Sequence, residues 1–449
     1  MVYADLDSVL AQVRASLERD DVAGAVATLE ALRAPDRADL FYELEDEQQT
    51  ALLPQLSPED SADILEELED EDAARIAETL PRETVIRIID EMEPDEAADL
   101  LSELRPQIVD ALLAGLEDPD EIRPLLLHPD DTAGGLMTSE FLALRRRMSV
   151  GEALEALTEW RADAEEIYDV YVVDRYGRLS GTVSMRQLLR EDNAVILGDI
   201  IDSEVVSVPV GTDQEECARL MSRYDLVSLP VVDSQGLLVG VITIDDVVDV
   251  LEEETTEDFQ RFGGAQPLDR PYLDTGILTI VRKRIGWLLL LFFTGTLTGS
   301  VLQLYEAELA QVISLALFIP LLIGTGGNAG SQTTSTIIRA LAVEDIDRGD
   351  LFRSFFHELG VGFVLGLVMA VAAYIRAITW NTGSGVALTV AVAVFAIVVW
   401  ANGLGSILPI LAQRIGLDPT VVSGPAMSTL VDATGLFIYF TIAGIILAL

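Results

Sequence analysis

The sequence of 449 residues predicts a multidomain fold: an all-α N-terminal superhelix, an α/β pair made by duplication, a connecting helix and a domain of five transmembrane helices. Three observations carry that expectation. An apolar residue recurs every twelve positions in the first quarter of the chain. A strand–turn–strand–helix pattern occurs twice at a spacing of 59, and the last 174 residues hold five long charge-poor stretches. Charge divides the chain in the same way. Residues 276–449 carry nine acids and eight bases out of totals of 75 and 29, which leaves 66 acids and 21 bases upstream.

In residues 1–130 the period is marked by Leu44, Leu56, Leu68, Leu80, Met92, Leu104 and Leu116. Between them lie segments such as S-P-E-D-S-A-D-I-L-E-E-L (57–68) and E-P-D-E-A-A-D-L-L-S-E-L (93–104). A proline or acid followed by small and apolar residues reads as a short N-capped helix of two to three turns. Stacked helices of that size form a superhelix in which each unit buries its neighbour's apolar face. Such scaffolds expose acids as a matter of course, so most of these carboxylates are expected in solvent.

Residues 131–252 hold the duplication, with units at about 137–198 and 199–252. Val172, Val173, Asp174, Gly177, Leu179 and Gly181 recur as Val231, Val232, Asp233, Gly236, Leu238 and Gly240. This tandem resembles a pair of CBS domains, which in general form a pseudo-twofold pair, dimerise, and bind nucleotides or ions. Residues 253–281 follow as a connecting helix and linker. Asp245, Asp249 and Glu252, and likewise Asp246, Glu253 and Glu257, fall at helical steps that put several carboxylates on one face. Like charges at that spacing repel, and divalent cations would offset the repulsion, as would solvent and salt.

Residues 282–449 are read as the membrane domain, with spans at Ile285–Leu304, Val312–Ile338, Leu359–Ile375, Val386–Gln413 and Val421–Leu449. Arg282, Lys283, Arg284, Arg339, Arg348, Arg353 and Arg414 fall on one side and Arg376 on the other. The positive-inside rule then places the N-terminal domains in the cytosol and Leu449 outside a cell (inner) membrane. No signal peptide is visible, and Cys217, the only cysteine, fits a reducing compartment.

Spans two, four and five contain helix-disturbing residues: Pro320 and G-T-G-G-N-A-G-S-Q (324–332), then Asn402, Gly403, Gly405 and Pro409, then Gly424 and Pro425. Loosened backbone at membrane depth is expected where it lines a wet cavity or is buried in protein. Counted along the spans, Asn328, Asn402 and Asp432 lie roughly 15–17 Å from the inner face. That level is near the middle of a hydrocarbon core about 30 Å thick. A carboxylate there costs about 2.5–3.5 kcal/mol or more, so it normally faces a cavity or a partner. A protonated Asp432 or one locked in an interhelical hydrogen bond is the structural alternative, as a packing surface is for the small residues. A lone carboxylate among amides with no base at its depth better suits a passing cation. Oxygen ligands without histidine or cysteine favour Mg2+ or Ca2+. One carboxylate is too few to strip Mg2+ of water, but a symmetric dimer would supply two.

Together these residues resemble the MgtE family of magnesium channels over essentially the whole chain. The specific marks are D-T-A-G-G-L-M-T (131–138), the doubled CBS unit, D-D-V-V-D-V-L-E-E-E-T-T-E-D (245–258), G-T-G-G-N-A-G-S-Q, and D-P-T-V-V-S-G-P (418–425) with D-A-T-G (432–435). The resemblance implies a homodimer in the lipid bilayer that imports Mg2+ and is closed when intracellular Mg2+ binds between its acidic cytosolic domains. It carries over Asp432 as the pore acid and Asp418 as a mouth acid. Asp225, Asp246, Asp249, Glu254, Glu257 and Asp258 match sensing positions, as do Asp63, Asp95 and Asp99, with Gly135 offering a backbone carbonyl. Gly326, Gly327, Asn328, Ser331, Gln332, Asn402 and Pro425 are the pore-lining candidates. Ser331 departs from the family, which often has Asn at that position.

Two other readings share parts of this pattern. A proton- or Na+-coupled divalent-cation transporter has the same fold and the same Asp432. A membrane-tethered nucleotide sensor uses the CBS pair but leaves Asp432 without a role. A net charge of −46 disfavours nucleic acid as a partner, because phosphate binding needs a basic face. High-salt adaptation accounts for average acidity but not for local clusters. His128 and His357 are isolated, and no catalytic spacing supports an enzyme.

Overall fold

The computed structural model describes residues 6–160, 169–268, 272–273, 275–343, 345–347 and 349–449, so Arg348 lies outside the described residues. They form two compact units, residues 1–252 and 253–449.

The first unit opens with helices α1 (Leu6–Glu18), α2 (Val22–Leu29), α3 (Ala34–Tyr42), α4 (Asp46–Leu52), α5 (Pro58–Glu66), α6 (Asp70–Thr79), α7 (Arg82–Ile89), α8 (Pro94–Ser102), α9 (Pro106–Leu113) and α10 (Pro119–Ile122). The twelve-residue period has a local cause. Leu44, Leu56, Leu68, Leu80, Met92 and Leu104 are all buried. Each donates its N–H to a carbonyl three residues back, at 3.1–3.3 Å, closing the turn that ends a helix. Alternate helices then pack together, α3 on α5, α5 on α7 and α7 on α9, with α4 on α6 and α6 on α8 in the second row. Acids at helix ends also bind the backbone that leads into the third helix on, from α5 to α8 and from α7 to α10. Glu66 accepts from the Glu93 N–H and Asp90 from the Glu117 N–H, both at 2.9 Å.

Two three-stranded sheets follow. In each, the first strand runs parallel to the second and the second antiparallel to the third: β1 (Ala143–Arg145), β2 (Asp169–Val173) and β3 (Leu179–Ser184), then β4 (Val208–Pro209), β5 (Ser228–Val232) and β6 (Leu238–Thr243). Helices α11 (Val150–Glu159) and α12 (Met185–Leu188) belong to the first repeat, α13 (Gln214–Tyr224) to the second. The repeated V-V-D-x-x-G makes one turn twice. Asp174 accepts from the Tyr176 and Arg178 N–H groups at 2.7 and 3.0 Å, and Asp233 from those of Gln235 and Leu237 at 2.7 and 2.9 Å. Gly177 and Gly236 take φ of 85° and 79°, the left-handed region that a Cβ disfavours. The two turns pair through Leu179 N–H to Gly236 and Leu238 N–H to Gly177, both at 3.2 Å, as a pseudo-twofold arrangement requires. The helical repeats and the second sheet share one apolar core, running from Val13 to Leu125 and on through Met137, Leu229, Ile242 and Val250. Helix α14 (Ile244–Phe262) starts directly after β6.

The second unit holds five helices long and apolar enough to cross a membrane: α15 (Ile277–Leu304), α17 (Ile319–Ala342), α18 (Leu351–Thr379), α19 (Ser384–Arg414) and α20 (Gly424–Leu447), with the short α16 (Glu306–Gln311) between the first two. α19 is the centre, packed by α17, α18 and α20, while α15 lies mainly along α20. The third span is extended at both flanks relative to its apolar core. Pro320 does not break span two, because it stands in the first turn of α17, after a 3-10 segment at Ile313–Phe318.

The expectation of loosened backbone is corrected. Residues 324–332 are continuous α-helix, as are 402–409 around Pro409. Their small residues let helices approach instead. A Cβ at Gly326 would lie 2.5 Å from Ile397, and one at Gly405 would lie 2.8 Å from the Gly330 carbonyl oxygen. With little hydrophobic drive between helices in lipid, such contact is a main source of association. Since that oxygen is backbone and cannot rotate away, Gly405→Ala should lower stability by about 1–3 kcal/mol. Thermal unfolding of the detergent-solubilised chain should show it, whereas Gly360→Ala, which meets open space, should leave the midpoint unchanged or raised.

Candidate ion site and sensing carboxylates

Asp432 stands in the third turn of α20, partly buried. Its Oδ1 is buried without a hydrogen-bond partner. A carboxylate oxygen withdrawn from water and given no donor is costly, which makes the position informative. On α17, Gly324, Asn328, Gln332 and Thr336 recur every four residues and all are exposed, so the helix presents a polar stripe outward. Pro425, at the start of α20, is exposed as well. Gly326 and Gly327 face inward, against Ile397 and Val431 and against Ser428 respectively. Ser331 donates to the Gly424 carbonyl at 3.1 Å and lies 3.3 Å from the Ser428 hydroxyl, stitching α17 to α20.

Asn402 departs from the expected convergence. It is 1% exposed, accepts from the Thr333 hydroxyl at 2.7 Å and donates to the Val398 carbonyl at 2.8 Å. Gly362 of α18 closes over it, with room for a Cβ only 3.0 Å from the Asn402 Cβ. Its amide is therefore used between helices, and it does not share the outward stripe of Asn328 and Gln332.

A second set of carboxylates lies inside the first unit, where α8 meets the start of α14. Asp95 is 5% exposed, and its Oδ1 has no hydrogen-bond partner. Burial, then Asp246 and the neighbouring Glu93 and Glu96, raises its carboxyl well above the usual range. Glu96 is pushed up to about 9 by burial and by Asp99, Asp246, Glu66 and Asp70. Asp99 is pushed up to about 8 by burial and by Asp70, Asp130 and Asp246. Asp246 itself is raised by burial, against the hydrogen bonds it accepts from the Thr243 hydroxyl at 2.6 Å and N–H at 3.3 Å. One turn along, burial with Glu252 and Asp245 raises Asp249, and burial with Asp249, Asp39 and Asp63 raises Glu67.

The remaining candidates are scattered. Asp63 pairs with Arg37 at 3.4 Å, which supplies it a counter-charge within the superhelix. Asp225 is exposed and ends α13 in a left-handed conformation, φ 53°. Gly135 is buried where a Cβ would meet the Pro129 carbonyl oxygen at 2.6 Å. In the second unit, Asp418 caps the turn Pro419–Val421 through the Thr420 N–H at 2.8 Å and binds Arg261 at 3.0 Å. Arg261 also pairs with Glu257 one turn back on α14. Glu254 and Asp258 are half-buried on the same helix.

Among the described residues no three acidic, histidine or cysteine side chains are close enough to hold a bare metal ion. The carboxylates gather instead in repelling pairs, an arrangement suited to a hard cation that keeps part of its water. Glu96, Asp70, Asp130 and Glu67 were not singled out from the sequence. The available signal for Glu96 was its place between Asp95 and Asp99 in the first turns of α8, which share one buried end of that helix.

The chain matches the family model of divalent cation transporters, MgtE, over residues 319–442. It matches the MgtE intracellular N domain over 32–131 and CBS domains over 133–193 and 197–253. It is 44% identical over 327 residues to the magnesium transporter MgtE of Thermus thermophilus, covering 73% of this chain and 72% of that one. The MgtE of Enterococcus faecalis is 36% identical over the same shares. Among solved structures, the cytosolic domain of the Mg2+ channel MgtE in complex with ATP is similar at 38% identity and TM-score 0.51, over 54% of this chain and 99% of that one. Matches to inosine-5'-monophosphate dehydrogenases, such as that of Halalkalibacterium halodurans, cover only 20–26% of the chain. With a family of this kind matched from the N-terminal helical repeats to the last span, the chain belongs to the MgtE family of magnesium transporters, which are not enzymes.

Proposed function

We infer that this protein is a homodimeric, Mg2+-selective channel that admits Mg2+ across the cell membrane and is closed by Mg2+ bound between its acidic cytosolic domains. The observation that carries the reading is the unpartnered Asp432 oxygen on α20, beside a helix whose Asn328 and Gln332 are uncovered. A polar stripe facing lipid would be costly, so a second copy or water must cover it. Two copies bring two Asp432 carboxylates to one passage, enough to hold an ion through its water shell. Residues Gly326, Gly327, Ser331 and Pro425 then shape the wall by fixing how α17 and α20 pack, and Asp418 stands at the cytosolic mouth. The N-terminal domains lie in the cytosol and Leu449 outside, as the basic residues at the span ends direct.

Sensing follows from the acids of α8 and α14. Asp95, Asp99 and Asp246 repel when ionised, and a divalent cation between them would relieve the repulsion and favour one arrangement of the cytosolic part. Asp249 lies one turn along α14 from Asp246, and Glu254, Glu257, Asp258, Asp63, Asp225 and the Gly135 carbonyl are the further ligands. Mg2+ acts as a stimulus because its affinity differs between the open and closed states. The CBS pair offers a second input, since a solved relative holds ATP.

Asp432→Asn and Asp432→Ala should each reduce Mg2+ flux into proteoliposomes at least about tenfold. Unchanged flux in both variants would exclude the pore assignment. Asp95→Asn, Asp99→Asn and Asp246→Asn combined should raise the cytosolic Mg2+ needed to halve single-channel open probability, with conductance retained. Normal closure in that triple variant would remove the sensor assignment.

The raised carboxyls also fix a pH dependence. In the unfolded chain Glu96 and Asp99 lose their protons near pH 4. In the folded protein they hold them to about 9 and about 8. The folded state binds more protons between those limits, so the contribution of these two groups to stability is full below about pH 4 and is lost as pH rises toward 8–9. Melting temperature in EDTA should decline over that window once other titrations are subtracted using a Glu96→Gln, Asp99→Asn variant. Added Mg2+ should flatten the decline.

A further inference from the structure

The end of α14 is held within the second unit by a guanidinium that bridges two carboxylates. Arg261 Nη1 lies 3.0 Å from Asp418 Oδ2, and Nη2 pairs with Glu257. The two carboxylates come from different elements, Glu257 from α14 and Asp418 from the turn that leads into α20. Facing each other bare, they would repel: burial raises Glu257, Arg261 pulls it back down, and Glu254, Glu253 and Asp418 raise it again. The planar fork of arginine suits a two-carboxylate bridge, and a cation in the last turn of a helix is also favoured by the helix dipole. The contact has an apolar companion, since Phe262 packs on Gly424, where a Cβ would meet its ring at 3.4 Å. Beyond the helix the chain folds back: the Leu268 N–H donates to Gln260 at 2.8 Å, and the Gln266 N–H to the Lys283 carbonyl at 3.0 Å.

We propose that Arg261 is a built-in counter-cation of the cytosolic mouth, latching α14 to the turn before α20 when no divalent ion is present, so that an ion taking Glu257 and Asp418 must displace it. Arg261 is thus a positioning residue that sets the Mg2+ concentration at which the mouth carboxylates respond. The latch rests on the Arg261 geometry alone, and the competition rests on the gating reading given above.

Hydrogen exchange on the full chain in lipid nanodiscs separates the two. In EDTA, Arg261→Gln should speed exchange of the amides of residues 258–264 about fivefold, the effect of losing a partly exposed pair worth about 1 kcal/mol. Arg261→Lys keeps the charge without the fork and should fall between Gln and wild type. Titrated Mg2+ should restore slow exchange in Arg261→Gln with a midpoint below that of wild type, since no guanidinium competes. Equal exchange of wild type and Arg261→Gln in EDTA would overturn the latch whatever the gating mechanism. A latch seen in EDTA but with an unchanged or higher Mg2+ midpoint in Arg261→Gln would overturn the competition.

Discussion

Carboxylates held close together without cations repel, and burial strengthens the repulsion because less water screens it. The first unit accepts this strain between α8 and the start of α14. There Asp95 is left with an orphan oxygen, and Glu96 and Asp99 hold protons far above the usual range. The surrounding apolar core, continuous from the helical repeats into the second CBS sheet, keeps the acids together. An arrangement that is costly in the absence of a cation is one that a cation can change. That is the physical basis for reading this junction as a sensor.

The membrane unit solves a different problem, close packing without hydrophobic drive, and it does so with glycine. Gly326, Gly330 and Gly405 remove side chains where α17, α19 and α20 approach. The same helices leave Asn328, Gln332 and part of Asp432 outward. Small residues and polar residues in the G-T-G-G-N-A-G-S-Q run therefore divide the work by face: one side of the helix packs, the other stays polar. Composition does not dictate conformation here, because glycine weakens an isolated helix but not one fixed by its neighbours.

Local regularities of the soluble part were legible in the sequence for local reasons. The twelve-residue leucine closes the turn that ends each helix, and the paired V-V-D-x-x-G builds an aspartate-braced glycine turn, so both patterns are written where they act. The spans were legible because charge-free stretches of that length have few other uses. Their ends were less so: α15 begins eight residues earlier than its apolar core and carries Arg282, Lys283 and Arg284 within the helix.

What the sequence determined by itself was thus the fold class, the acidic division between soluble and membrane parts, and Asp432 as a charge in an apolar span. Only the tertiary structure decided which acids meet. Asp95 and Asp246 lie 151 positions apart, and nothing in their local sequence says that they come within electrostatic reach of each other. The same holds for Asn402, drawn into a helix junction by Thr333, and for Arg261, tied to Asp418. Pairing between distant residues depends on how helices stack, and stacking is set by the summed apolar faces of the whole unit rather than by any one segment.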